Sequence, residues 1–497
     1  MRAIVLSLLA LCSATAVLAD VTLAGLFQDN LVFQRDRPVP IWGRADPGER
    51  VTVAFAGQEV STNTPADGRW IIYLDPLVTQ SEPAEMIVSG NNRLSVKNIL
   101  VGEVWLCSGQ SNMAWLVKNS DNAKEEIASA EIPQIRVFTV EKAVSKAPTD
   151  VLNGSWLPSS PSTAGNFTAV GYFFARDLHR KLGVPIGIIH SSWGGTPVEA
   201  WMSPAALASD PAFEIVFKRW KEAMEAYPEK KATYEKELAA WTEEQAAAKA
   251  AGKPFGKAKP LTPRDPETRD LPAGLFNAMI NPVLPYSIRG VLWYQGENNG
   301  SRPTEYHKLF AAMITYWRAH FGQGDFPFYW VQLANFKTPN DWALLREAQT
   351  QTLSLPETGQ ALAIDIGNPD DIHPRNKQEV ARRLALIAKA RVYGIPGDDS
   401  GPMFQSAERE KNGIRVHFSH AVTGLIARDR PLQSFELAGR DKVFWPAQAE
   451  IDGDTVFVSS KDVKEPIEVR YAWSSSPIAN LYNGAGLPAV PFRSDDW

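Results

Sequence analysis

The spacing of apolar positions changes three times along the chain. Residues 20–100 carry short β-prone runs, Val21-Thr22-Leu23, Val51-Thr52-Val53-Ala54-Phe55 and Trp70-Ile71-Ile72-Tyr73-Leu74. The turn signals Asp46-Pro47-Gly48, Asp67-Gly68 and Gly90-Asn91-Asn92 lie between them. This pattern predicts a small N-terminal β-sandwich. From 101 to 395, near-continuous apolar runs at 104–107, 186–189, 290–294, 328–332 and 361–364 alternate with amphipathic stretches. In one of these, Tyr306, Leu309, Phe310, Met313, Ile314 and Trp317 recur at helical spacing, and Gly322 can end the helix. Apolar strands alternating with helices predict an α/β domain on a doubly wound parallel sheet. A Lys-, Glu- and Ala-rich segment at about 207–268 interrupts it and reads as an insertion of one or two solvent-exposed helices. Residues 400–497 return to β patterning and read as a C-terminal β domain.

The N-terminus has one basic residue (Arg2), an apolar run from Ala3 to Leu11, and Val17-Leu18-Ala19 before the expected cut. It reads as a secretory signal over residues 1–19, so the chain is expected in the periplasm or the medium. Cys12 belongs to that signal; its removal leaves Cys107 alone, with no intramolecular disulfide to form. No later run reaches the roughly 18 apolar residues of a membrane span. At 497 residues, 44% apolar and 22% charged, the rest reads as about three globular domains. A net charge of −5 argues against general nucleic-acid binding, which needs clustered Lys and Arg. The 16 Trp suit a core, and they also suit stacking on sugar rings.

Ligands of open α/β sheets bind at the carboxyl ends of the strands. Four predicted strands end there in polar or glycine clusters: 108–113, 190–196, 295–299 and 365–373. Ester hydrolysis needs a nucleophile, a base and donors for an oxyanion. Ser111 follows a strand and a glycine where a helix is expected to begin; it fits a nucleophile and equally a helix N-cap. His373 follows a strand end, with Pro374 at an expected first helical position. Asp370, three residues before it, and Asp371, two before it, are the candidate acids that would orient the ring, and Asp371 also fits a helix cap. Gly194 and Gly195 would let backbone approach an acyl oxygen. Gln295 offers a side-chain amide to the same oxygen. Glu297 fits a loop brace or a second carboxylate. Trp193, Trp201 and Trp293 fit a sugar platform or packing beneath the site. Arg375 fits a carboxylate contact or a solvated helix start. The chain lacks H-E-x-x-H, paired cysteines, the phosphate-binding glycine motifs and G-x-S-x-G, so no metal or nucleotide cofactor is expected.

Gly109-Gln110-Ser111-Asn112-Met113 with Asp370-x-x-His373 far downstream resembles the SGNH-type hydrolases. Val101-Gly102-Glu103-Val104-Trp105, the run 191–201, Leu275-Phe276-Asn277-Ala278-Met279-Ile280, Trp293-Tyr294-Gln295-Gly296-Glu297 and Asp371-Ile372-His373-Pro374 with Lys377 narrow the likeness. The chain is similar to bacterial sialate O-acetylesterases and related carbohydrate acetylesterases over nearly its whole mature length. The resemblance implies an SGNH-type, flavodoxin-like hydrolase domain without cofactor. It implies Ser111 as nucleophile and His373 as general base. The oxyanion hole would be made by the Ser111 N–H, a glycine N–H at 194 or 195, and Gln295. Gln110, Asn112, Glu297, Trp193 and Arg375 would support the site or touch substrate. The substrate implied is an O-acetylated sugar, sialic acid first and acetylated plant polysaccharide such as xylan second. A carbohydrate-binding protein without activity is the reading from a different class.

Overall fold

The computed structural model describes residues 20–497; the export signal read at 1–19, with Cys12, lies outside the described residues. Seven strands cross the centre in the order Gly154–Ser159, Ile132–Val140, Ile186–Ser192, Arg93–Gly109, Gly290–Tyr294, Phe328–Gln332 and Thr358–Leu362. The first pair is antiparallel and every other neighbouring pair is parallel. Helices Ala169–Leu182 and Lys377–Arg391 share one core with Trp105, Cys107 and Tyr329. Helices Pro303–Phe321 and Trp342–Gln351 share the opposite core with Val291, Trp293 and Trp330. Strands covered on both faces have no solvent side, which is why their sequences run apolar without alternating. The fold is the doubly wound parallel α/β class, with antiparallel sheets on its flanks.

The boundary expected at residue 100 falls inside a strand. Arg93–Gly109 is 17 residues long. Its first half pairs antiparallel with Gln80–Ser89 and its second half enters the parallel sheet. Burial along it changes from alternating to continuous near Ile99. The change of pattern thus marks a change of neighbours within one strand. In the N-terminal region, Thr22–Leu23, Val39–Arg44 and Arg69–Leu74 form one antiparallel sheet. Its inward residues Ile41, Trp70 and Ile72 share a core with Val51 and Val53 of the facing strands.

The insertion is a single helix, Glu214–Ala250, of 37 residues. The chain then runs back along it, tied by Trp241 Nε1 to Lys257 O (2.8 Å) and Thr262 Oγ1 to Tyr234 OH (3.1 Å). The C-terminal region holds two four-stranded sheets and a strand pair. Its core takes in Leu362 and Ile364 from the end of the central sheet. Asp365, in the fourth strand-end cluster, is a buried joint: it pairs with Arg383 (2.6 Å) and accepts Tyr482 OH (2.9 Å). The helix after His373 begins at Lys377 and not at Pro374. Asn376 caps it by accepting the Glu379 N–H at 3.1 Å, and a polar cap outcompetes the bare proline start.

Candidate active site

Three adjacent strands end level, with Gly109 opposite Ser192 on one side and Tyr294 on the other. This register brings the clusters after residues 109, 192 and 294 to one edge. Gly109 has φ +132°, and a Cβ there would lie 2.2 Å from Tyr294 O, so only glycine allows this crossing. The chain turns at once into the short helix Ser111–Ala114. Ser111 Oγ sits 2.9 Å from His373 Nε2, across a sequence separation of 262 residues. Ser192 Oγ and His190 Nε2 form another serine–histidine contact at 2.6 Å, but both groups are buried in the sheet and burial lowers the His190 pKa to about 4. The Ser111–His373 pair, half-exposed, is the one a substrate can reach.

Asp371 Oδ1 accepts the His373 backbone N–H at 2.9 Å and lies 3.6 Å from its Nδ1. Asp370, the acid of the Asp370-x-x-His373 spacing, faces away and pairs with Lys337 at 2.9 Å on the exposed side of the loop. The correction has a simple cause: the segment is a turn, so no helical period carries residue 370 onto the face of 373. Trp115 stacks on the His373 ring, with centroids 5.4 Å apart and planes 18° from parallel. Burial lowers the His373 pKa below 6.5; Asp371 opposes the shift and the Lys377 charge adds to it. The ring is therefore a neutral base at pH 7.

Beneath the pair lies a buried polar bridge. Lys377 Nζ donates to Asn112 Oδ1 at 2.5 Å. Asn112 Nδ2 donates to Glu297 Oε1 (2.5 Å) and to the carbonyl of Ile372 (3.0 Å), the residue before His373. One amide next to the nucleophile thus fastens the histidine loop and the third strand-end loop together. Burial lowers the Lys377 pKa to about 7 and raises that of Glu297. The Lys377 ammonium also faces the rings of Tyr294 (5.2 Å) and Trp115 (5.7 Å). Glu297 is a brace in this arrangement and does not contact His373.

Gly194 packs against the nucleophile, since a Cβ there would lie 3.3 Å from Ser111 Cβ. Arg269 Nη1 holds its carbonyl at 3.0 Å, and Asn298 Nδ2 holds the Gly195 carbonyl at 2.8 Å. In a trans peptide the next N–H points opposite the carbonyl, so these anchors aim the N–H groups of Gly195 and Thr196 the other way. The N–H groups of Ser111, Gly194 and Gly195 have no backbone acceptor among the described residues. Gln295 departs from expectation. It is fully buried, and both its amide hydrogens are occupied, by Thr196 O (3.1 Å) and Asn299 Oδ1 (2.7 Å). Its Oε1 accepts Tyr306 OH at 2.8 Å. It holds the loop and offers nothing to an oxyanion.

Gln110 Oε1 accepts the Asn298 N–H at 3.2 Å and so braces the same loop. Trp201 and Trp293 are wholly buried, edge to face at 6.1 Å, and belong to the core. Trp193 is half-buried, with Lys142 Nζ 5.8 Å from its ring centre. Arg375 is exposed and lies 3.5 Å from Asp121. Sequence reasoning passed over Trp115 and gave Lys377 no role, although both stand four residues after a catalytic candidate. It also gave Asn298 no role of its own within the 295–299 cluster, and it missed Arg269, for which the local pattern holds no signal. Among the described residues no group of three or more His, Cys, Asp or Glu is arranged to hold a metal, and no helix is long and apolar enough to cross a membrane.

The family described as carbohydrate esterase, sialic acid-specific acetylesterase, matches residues 101–235 and 274–388. The chain is similar to the sialate O-acetylesterase of Rattus norvegicus, at 33% identity over 94% of this chain and 93% of that one. It is similar to the sialate O-acetylesterase of Homo sapiens at 31% identity, over 94% and 91%. Among solved structures, a carbohydrate acetylesterase from Xanthomonas citri is 39% identical with a TM-score of 0.81, over 96% of this chain and 100% of that one.

Proposed function

The chain belongs to the sialic acid-specific acetylesterase family of carbohydrate esterases, and we propose that it removes O-acetyl groups from sugars with Ser111 as nucleophile and His373 as general base. The observation that carries the reading is the 2.9 Å contact between Ser111 Oγ and His373 Nε2 at the carboxyl edge of the sheet. His373 Nε2 takes the hydroxyl proton as Oγ attacks the acetyl carbonyl carbon. The resulting oxyanion is held by the N–H groups of Ser111 and of the Gly194–Gly195 turn. The tetrahedral intermediate collapses, the sugar oxygen leaves, and the imidazolium returns the proton to it. Water then attacks the acetyl-enzyme by the same route and releases acetate. Asp371, 3.6 Å from Nδ1, steadies the imidazolium by charge across a partly exposed gap. The site works by its own side chains and backbone.

We take 9-O-acetyl sialic acid as the first substrate, on the strength of the rat and human relatives. Acetylated plant polysaccharide such as xylan is the second, and the broader description of the Xanthomonas relative, a carbohydrate acetylesterase, fits either sugar. The test is acetate release from both substrates side by side, with Ser111→Ala as the blank. Removing the nucleophile is expected to lower turnover by several orders of magnitude; a variant that still releases acetate overturns the assignment. Residues 1–19 are proposed to direct export, which N-terminal sequencing of exported protein checks by a new start at Asp20.

A further inference from the structure

A cavity of about 450 Å³ opens between the insertion helix and the third strand-end loop, within the size range of small-ligand sites. We infer that it is a second sugar subsite, which holds an uncharged pyranose ring linked to the acetylated sugar. The inference rests on the reading of Ser111 as the esterase nucleophile.

The cavity adjoins the candidate site through Asn298 and the Gly194–Gly195 turn. Asn298 lines it and holds the Gly195 carbonyl at 2.8 Å, while Gly194 packs against Ser111. Its far wall is one face of the insertion helix: Arg219, Trp220, Ala223, Tyr227 and Lys230 line it at intervals of mostly three or four residues. A segment with the composition of a solvated helix thus builds a wall. The roof comes from the returning loop, with Pro263, Arg264 and Pro266. Trp220 Nε1 donates to Pro266 O at 2.9 Å, which locks helix to loop and sets the indole.

The chemistry is that of a sugar ring. Trp220 and Tyr227, both half-buried, present apolar surface to C–H groups beside the prolines. The half-buried guanidinium groups of Arg219 and Arg302 line the cavity as well and supply N–H donors suited to ring hydroxyls. A neutral ring is favoured over an anion because the three guanidinium groups are already paired and Lys230, the remaining cation on the wall, is exposed to solvent. Arg219 pairs with Glu305 at 2.7 Å, Arg302 with Glu199 at 3.0 Å, and Arg264 with Asp270. The roof also lies in 236–273, the stretch between the two segments that match the family. The helix wall, at residues 219–230, lies inside the first matched segment.

The experiment compares kcat/KM across 4-nitrophenyl acetate, free and lactose-linked 9-O-acetyl sialic acid, and acetylated xylose and xylo-oligosaccharides. Trp220→Ala and Tyr227→Ala are assayed beside the unaltered protein, with thermal unfolding to confirm folding. The unaltered protein should favour the linked over the free sugar by about tenfold or more within the series it hydrolyses. Each variant should lose that preference through KM while keeping 4-nitrophenyl acetate turnover. No preference in the unaltered protein, or an equal preference in all three proteins, overturns the subsite while leaving the esterase reading intact. Hydrolysis of none of the esters by the unaltered protein overturns the esterase reading, and the subsite falls with it.

Discussion

Replacing Asp371 by Asn tests how the histidine is oriented. The carboxylate lies 3.6 Å from His373 Nδ1, beyond hydrogen-bond range, with side-chain exposures of 49% and 30%. Unit charges at that separation attract by about 1 kcal/mol in a water-like medium and about 5 kcal/mol at an effective dielectric constant near 20. The exposure of Asp371 places the pair toward the weaker limit. Losing about 1–2 kcal/mol of imidazolium stabilisation lowers kcat about 5- to 30-fold, far less than the roughly 10⁴-fold loss expected when an acid tightly bonded to the ring is removed. The pH profile supplies a second readout. The neutral ring is the active base, so kcat/KM rises as His373 deprotonates, with its acid limb below pH 6.5. Asp371 raises that pKa, so Asp371→Asn should move the limb to still lower pH. Asp370→Asn, which only breaks an exposed pair with Lys337, should change neither kcat nor the limb. The assay is acetate release between pH 4.5 and 8 for all three proteins. An effect of Asp370→Asn larger than that of Asp371→Asn, or a 10⁴-fold loss in Asp371→Asn, refutes the reasoning.

Asn112→Ala should cost a few kcal/mol of stability, because it leaves the buried Lys377 and Glu297 without their bridge; urea unfolding reads this out, and kcat should fall with KM little changed as the His373 loop loses its tether. Lys377 has a folded pKa of about 7 against 10.5 unfolded. Between those values the unfolded chain binds the extra proton, so this group makes stability rise with pH from 7 to 10.5, by at most about 5 kcal/mol. Lys377→Met should lack that rise when unfolding is compared at pH 7, 8.5 and 10. Gln295→Ala should lower stability by about 1–3 kcal/mol by removing its buried bonds to Thr196 O, Asn299 Oδ1 and Tyr306 OH, while kcat per folded molecule falls less than the 10²- to 10³-fold expected of a lost oxyanion donor. Arg383→Leu should destabilise by about 3–5 kcal/mol, because Asp365 is left charged and buried at the joint with the C-terminal sheets; calorimetry of the purified variant checks it.

The features legible in the amino-acid order are those that local rules govern. Apolar runs without alternation identify parallel strands because such strands are buried on both faces, and ligand-bearing loops follow their carboxyl ends. Those two rules bring Ser111 and His373 among the candidates, and the resemblance of the motifs around them implies their roles. The rules do not reach past the loops themselves. In the turn at 368–373 no period orders the side chains, so adjacent aspartates part company, Asp371 toward the imidazole and Asp370 toward Lys337. Gln295 looks like a donor in the sequence and becomes a fully bonded strut only when Thr196, Asn299 and Tyr306 close around it. The tryptophans sort into core (Trp201, Trp293) and histidine support (Trp115) according to which face of the sheet or crevice each meets. The Lys377–Asn112–Glu297 bridge joins three segments separated by up to 265 residues. A helix whose composition is that of a solvated surface acquires a cavity wall because its returning loop folds over one face. Strand type and strand-end chemistry are properties of short segments and were set by the sequence. Side-chain direction in loops, and the meeting of segments distant in the chain, depend on the packed whole and were decided by tertiary structure.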